Sequence, residues 1–337
     1  MRDATSLHAG SIVIDGLLFH CDGYAEEFGQ ANAAAANITV CDFEAGFTEA
    51  CDRIAAWHAM IAQSEGRWRL IETAEDIRAS AADGKAGLIM GFQNARPIDD
   101  RLDRLDFFHR LGVRIIQLTY NNRNFLGDGC LEPENGGLSA FGHRVVERMN
   151  AIGIAIDLSH VGERTTLMAA EASTKPVLAT HTNAKVLADW PRNKSDAVVR
   201  AIAATGGTIG VSIYGPLLWD GDPARPPGLE DLVRQADHIA GLVGAEHLSF
   251  GTDFFSVADT PAYEAVADMV SEFENPAAAA YAAAFDNTLR GRYPATCRHF
   301  ADLGRITEAF VAAGWSDDDI KGLLGGNLLR ALETIWN

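Results

Sequence analysis

Eight short runs of apolar, largely β-branched residues punctuate the chain, and helical periodicity fills the spaces between almost all of them. They are residues 11–18, 37–43, 86–93, 113–120, 153–160, 175–182, 207–214 and 247–254. Several are apolar without interruption, the pattern of parallel strands buried on both faces. Parallel strands need crossovers, and the intervening segments supply helices. Leu102, Leu105, Phe108 and Leu111 recur at three-residue steps within 101–111. Ser195 is placed to cap a helix over 196–204, and Gly206-Gly207 punctuates its end. Residues 229–243 and 316–334 carry the same period. A doubly wound open sheet would want a glycine-rich phosphate turn after the first strand, and none is present. The sequence therefore predicts an α/β fold, a single (β/α)8 TIM barrel spanning 1–337. The Ala-rich stretch 274–285 belongs to an insertion at about 256–300, after the eighth strand. It is expected to form a helical lid or an oligomer contact.

The chain's bulk properties narrow the function. With 337 residues, 47% of them apolar, it has material for one large core. A net charge of −18 leaves no basic patch for nucleic acid and would repel an anionic membrane surface. No apolar run approaches a bilayer span, and residues 1–10 lack the cationic start and apolar run of a signal peptide. Five cysteines (21, 41, 51, 130 and 297) form no CxxC pair, and their odd number fits a reduced, cytoplasmic chain.

Polar residues gather at the C-terminal ends of the expected strands. The third ends in Gln93-Asn94, the fourth in Tyr120-Asn121-Asn122, and the fifth in Asp157-Leu158-Ser159-His160. The sixth ends in His181-Thr182-Asn183, the seventh in Tyr214 and the eighth in Asp253. Barrel enzymes build their active sites at that end. A lone strand-end histidine is more often structural, but His160 and His181 on adjacent strand ends, with Asp253 two strands on, suit one metal ion with an open position for water. His58, His109, His143, His238 and His299 fall in helical segments and read as structural.

The strings DLSHVG (157–162), THTNA (180–184), PRNKSD (191–196), FGTDF (250–254) and GGNLLRAL (325–332) resemble, in order, the membrane or renal dipeptidase family. These are metallopeptidases of the amidohydrolase-like barrel class, and the likeness runs from about residue 11 to residue 334. The resemblance implies a two-zinc site, hydrolysis of dipeptides and a homodimer. It assigns His160 and His181 to one zinc, Arg192 to the substrate carboxylate, and Asp253 to the metal centre and proton transfer.

Four positions depart from that family. Its His-x-Asp pair on the first strand falls here on Leu17 and Phe19, its bridging glutamate on Gln93, and the histidine that polarises the substrate carbonyl on Tyr120. A His-x-Asp triplet does occur three residues later, at His20-Cys21-Asp22. On a regular strand Leu17 and Phe19 share one face, His20 and Asp22 the other, and three residues carry the chain about 10 Å onward. The triplet therefore reads as a bystander unless a bulge or turn redirects it. A carboxamide at Gln93 lacks the charge and paired oxygens of a bridging ligand. The expectation is one Zn2+ per chain, or another divalent metal, at His160 and His181, completed by Asp253, water or the Gln93 oxygen.

The function expected is metal-dependent hydrolysis of a dipeptide or related small amide with a free carboxylate. Asp253 would move protons and Tyr120 would donate to the oxyanion, while Arg192, Asn121 and Tyr214 line the substrate. The alternatives are a lyase, isomerase or narrow amidohydrolase on the same scaffold, or a binding protein that kept the pocket.

Overall fold

The computed structural model describes residues 3–19, 25–255, 276–285 and 288–337. Nine strands form one sheet: β1 (Val13–Leu18), β2 (Ala33–Thr39), β3 (Trp68–Leu70), β4 (Ala86–Phe92), β5 (Val113–Gln117), β6 (Ala155–Asp157), β7 (Leu178–Thr182), β8 (Thr208–Ser212) and β9 (Leu248–Gly251). The order is β1-β2-β4-β5-β6-β7-β8-β9, all neighbours parallel, with β3 paired only to the start of β4. The ends of the path meet. Leu18 bridges Phe254 in parallel, the Asp253 N–H donates to Leu17 O at 2.9 Å, and the Phe19 N–H donates to Phe254 O at 2.8 Å. Eight strands thus close into the TIM barrel that the alternation of strands and helices implied.

Adjacent residues on a strand feed two separate cores. Ile14, Ile89, Ile115 and Ala155 belong to one cluster, while Val13, Leu88, Met90, Ile116 and Ile156 belong to the other. Period-two alternation is present, but apolar side chains stand on both faces, which is why these runs look continuous in the sequence. The first cluster is completed by Leu328, Leu332 and Ile335 of the C-terminal helix, Asn327–Trp336. That helix is seated by two contacts. A Cβ at Gly325 would lie 2.4 Å from Ile12 O, and Asn327 Nδ2 donates to Ala245 O and Leu248 O at 2.9 and 2.8 Å. The GGN string therefore lets a helix press against the backbone of β1.

Helices at 196–204 and 229–243 appear with those bounds, and Ser195 Oγ accepts from the Val198 N–H at 3.4 Å as a cap. The expected helix over 316–334 is instead two, Asp317–Lys321 and Asn327–Trp336, parted by a wider turn at Gly322–Gly326. The second strand begins at Ala33, four residues before the expected 37, and ends at Thr39. Within residues 256–300, where an insertion is expected, the described residues include a helix at Pro276–Ala284, whose Tyr281 packs edge-on against Trp219 at 5.7 Å. No helix among the described residues is long and apolar enough to cross a membrane. Cys41, Cys51, Cys130 and Cys297 are free thiols, and Cys21 lies outside the described residues.

Candidate active site

His160 sits in the turn that leaves β6, and His181 within β7. The His160 Nδ1–H donates to Asn121 Oδ1 at 2.8 Å. A carboxamide oxygen only accepts, so the ring proton is on Nδ1 and Nε2 carries a lone pair. The Thr180 hydroxyl gives its one hydrogen to Asp157 Oδ2 at 2.8 Å. Its oxygen must therefore accept from His181 Nδ1–H, also 2.8 Å away, which leaves His181 Nε2 bare as well. The two Nε2 atoms lie 3.1 Å apart.

Electrostatics keep both rings neutral. His160 and His181 are buried, and desolvation, followed by the Arg192 charge, holds both well below the usual imidazole range. Arg192 is 1% exposed; Nη1 donates to Ser159 O and Nη2 to His181 O at 2.8 Å, clasping the main chain beside both histidines. Lys194 Nζ donates to Val161 O at 2.8 Å, and burial, then Arg192, brings the ammonium down to about 7. The substrate-carboxylate residue expected at 192 is therefore already engaged twice, with the rest of its guanidinium N–H groups left for other partners.

The remaining candidates converge on the same end of the barrel. Gln93 Nε2 lies 3.4 Å from His181 Nε2, while its Oε1 is buried without a hydrogen-bond partner. The Tyr120 ring is stacked between Phe43 (centroids 4.0 Å apart, planes at 6°) and His160 (4.0 Å, 21°). Burial and then the Asp253 charge raise its phenol above the ordinary range. Asp253 has φ 56°, a left-handed conformation rare for a residue with a side chain, and its backbone is pinned on both sides. Its N–H donates to Leu17 O, and its carbonyl accepts from the Tyr293 hydroxyl. Burial raises its carboxyl to about 6, with Arg192 opposing the rise. The Tyr214 hydroxyl accepts from Arg292 Nη1 at 2.9 Å, so the segment after β9 reaches the site through Arg292 at Tyr214 and Tyr293 at Asp253.

The first strand is irregular beside the site. Asp15 pairs with Ala36 and Leu18 with Ile38, so three steps on β1 match two on β2. The irregularity lies between Asp15 and Leu18, ahead of His20 and Asp22. Both lie outside the described residues. Leu17 is buried, and Phe19 packs on Phe255 at 5.1 Å, so apolar side chains occupy the positions of the family's first ligand pair.

The donor set fits a metal in part. Two imidazole nitrogens about 2.0–2.1 Å from one cation stand roughly 3.1–3.4 Å apart, the separation seen here. An orphaned Gln93 Oε1 beside them becomes a third donor if the amide is turned over, an operation that leaves its shape unchanged. Among the described residues, no third His, Cys, Asp or Glu stands with His160 and His181 as a ready cluster. The φ of 56° and the bonds from both sides set the main chain of Asp253 by the closure with β1 rather than by the histidines.

Residues 24–276 match the family described as membrane dipeptidase, peptidase family M19. This chain belongs to that family. It is 28% identical over 291 residues to an uncharacterised protein encoded in the pqqA 5′ region of Klebsiella pneumoniae, covering 84% of this chain and 95% of that one. It is 31% identical over 271 residues to the dipeptidase tcpJ of Claviceps purpurea, covering 80% of this chain but 56% of the fungal protein. Among solved structures, an amidohydrolase from Pseudomonas aeruginosa superposes with a TM-score of 0.85 at 30% identity, covering 99% of both chains. A metallopeptidase from Rhodobacter sphaeroides, solved with a phosphinate mimic of L-Ala-D-Ala, shares the fold at a TM-score of 0.78 and 21% identity, over 97% of this chain and all of that one. The chain is accordingly a hydrolase of the M19 class, a family whose members are metallopeptidases.

Several residues that shape this M19 site escaped the sequence reading. Phe43 backs Tyr120, Thr180 orients His181, and Asp15 ties β1 to Thr252, the residue before Asp253. A serine or threonine directly precedes a functional residue four times, at Thr119, Ser159, Thr180 and Thr252, and that repetition was a readable signal.

Proposed function

We propose that this M19 hydrolase cleaves dipeptides, or related small amides with a free carboxylate, using one divalent metal, zinc by chemistry, held by His160 and His181. The observation that carries the reading is the pair of bare Nε2 atoms 3.1 Å apart, neutral and facing each other. Two lone pairs so placed repel unless a cation lies between them. Gln93, with Oε1 turned to the pair, is the third protein donor, and a position remains for water or substrate. When bound, the metal supplies Lewis acidity that makes water a nucleophile near neutral pH and polarises the substrate carbonyl.

The chain's own residues supply the rest. Asp253, with its carboxyl raised to about 6, is ionised at neutral pH yet basic enough to take a proton from the attacking water and return it to the leaving amine. The Tyr120 phenol, kept protonated by burial, donates to the developing oxyanion. The Arg192 guanidinium, with Lys194 protonated in part near neutral pH, makes the site cationic, which draws a substrate carboxylate into a protein of net charge −18. Remaining guanidinium N–H groups of Arg192 bind that carboxylate, and Asn121 and Tyr214 flank it.

Metal analysis of the purified protein, followed by a dipeptide panel before and after chelation, tests the reading. About one equivalent per chain, with cleavage lost on chelation and restored by zinc, is expected. Two tightly bound equivalents, or cleavage that survives complete metal removal, overturns it.

A further inference from the structure

We propose that Asp157 is a positioning residue that fixes the tautomer of His181, acting through the Thr180 hydroxyl, so that the imidazole turns a bare Nε2 toward His160. Asp157 is buried at the end of β6 and accepts four hydrogen bonds. Its Oδ1 takes the Ser159 N–H (3.0 Å), the Ser159 hydroxyl (2.6 Å) and the Thr180 N–H (3.1 Å); Oδ2 takes the Thr180 hydroxyl (2.8 Å). The ladder between β6 and β7 has one paired position, Asp157 opposite Leu178. Beyond it the carboxylate, rather than main-chain pairing, holds the two strand ends together. Ser159 and Thr180 directly precede His160 and His181, so one side chain sets the approach of both. Ser159 Oγ also accepts the His181 N–H at 3.2 Å.

The direction of each bond matters more than its strength. A carboxylate can only accept, so both hydroxyl hydrogens are committed to Asp157, and Thr180 Oγ1 has nothing but lone pairs to offer His181. Changing the acceptor to a group that donates reverses the whole series. In Asp157→Asn, Oδ1 keeps the two N–H groups and the Ser159 hydroxyl, because turning the amide over would set an NH2 against all three. The Nδ2 must then donate to Thr180 Oγ1. Of the acceptors left to the Thr180 hydrogen, His181 Nδ1 at 2.8 Å is closer than Ser159 Oγ at 3.2 Å, so the hydrogen turns to the ring and the ring proton moves to Nε2, which stands 3.1 Å from His160 Nε2. A nearly isosteric substitution would thereby move one proton across one ring and leave the fold in place.

The test reads the tautomer directly in metal-free protein labelled with 15N-histidine, by long-range 1H–15N correlation spectra, with the His181 signals assigned from a His181→Ala variant. The parent and Thr180→Ser are expected to show His181 protonated at Nδ1, and Asp157→Asn to show it at Nε2. A folded Asp157→Asn that keeps the Nδ1–H pattern overturns the proposal. If that variant does not fold, Thr180→Val decides the matter: the hydroxyl is gone, so loss of the Nδ1–H pattern supports the proposal and its retention overturns it. A second arm rests on the metal reading above and titrates Zn2+ into the same proteins. Asp157→Asn is expected to bind about 10–100-fold more weakly and Thr180→Ser like the parent. A shifted tautomer with unchanged Zn2+ affinity supports the role of Asp157 and counts against the metal at His181, so the two readings fail separately.

Discussion

The ring of Tyr120 lies against the imidazole of His160, centroids 4.0 Å apart and planes at 21°, and Phe43 backs it at the same distance on its other face. Two functions can therefore be separated on one residue. Tyr120→Phe keeps the stack and removes only the hydroxyl. It is expected to lower kcat by about 10²-fold, the usual cost of losing an oxyanion donor, with metal content unchanged. Tyr120→Ala removes the ring as well, and should also weaken metal binding because His160 loses the surface that orients it. Equal metal affinity in the two variants would show that the stack does not hold His160.

His160→Ala and His181→Ala should each abolish metal binding, since only two imidazoles are brought together among the described residues. Gln93→Ala should weaken it without removing it, because a neutral carboxamide is the lesser donor. Equilibrium dialysis against zinc distinguishes the three. Full retention of zinc in either histidine variant would mean that the metal is held elsewhere.

Much of this architecture was legible because buried parallel strands announce themselves as unbroken apolar runs. What escaped did so for definite reasons. Ala33 to Ala36 open β2 without a β-branched residue, and β3 has three residues, too few to show a period. The helix expected over 316–334 breaks at Gly322–Gly326 because Gly325 must approach the backbone of Ile12, a tertiary demand with no local signature. At the site, strand-end position marked His160, His181, Gln93 and Tyr120. The double bond of Arg192 to main-chain carbonyls, the relay from Asp157 and the arrival of Tyr293 beneath Asp253 all join residues remote in sequence. The irregularity between Asp15 and Leu18 likewise has no signature in an apolar run, and His20 and Asp22, which follow it, lie outside the described residues.

Asp253 gives a pH signature. Its carboxyl is raised to about 6, chiefly by burial, and a proton acceptor must be ionised to act. As pH falls through about 6 the carboxylate takes up a proton and kcat should fall with it, giving an acid limb near that value. Asp253→Asn should lose roughly 10²–10⁴-fold in kcat, and any residual rate should lack the limb. A pH–rate profile in which the variant keeps the parent's limb would assign the titration to another group.

Asp15 offers a test on stability rather than rate. It is fully buried on β1; Oδ1 accepts the N–H groups of Leu17 (3.1 Å) and Thr252 (2.8 Å), and Oδ2 the Thr252 hydroxyl (2.5 Å). It thus fastens the closing edge of the barrel beside Asp253. Burial raises its carboxyl from 3.8 to about 7, against the lowering effect of the Thr252 bonds. The folded state therefore binds this proton more tightly than the unfolded chain does. The stability it contributes is fully present below about 3.8 and is lost as pH rises through about 7. Asp15→Asn stays neutral throughout and keeps the acceptor oxygen for both N–H groups. Thr252 Oγ1 then accepts from Nδ2 and turns its own hydrogen to Leu17 O, 3.2 Å away. Measured as the difference in Tm between variant and parent, the asparagine protein should gain several degrees on the parent between about pH 4 and pH 7, and the difference should level off above that. A difference that stays flat, or one that shifts in the parent's favour as pH rises, would show that ionised Asp15 is as well accommodated in the barrel as the neutral acid.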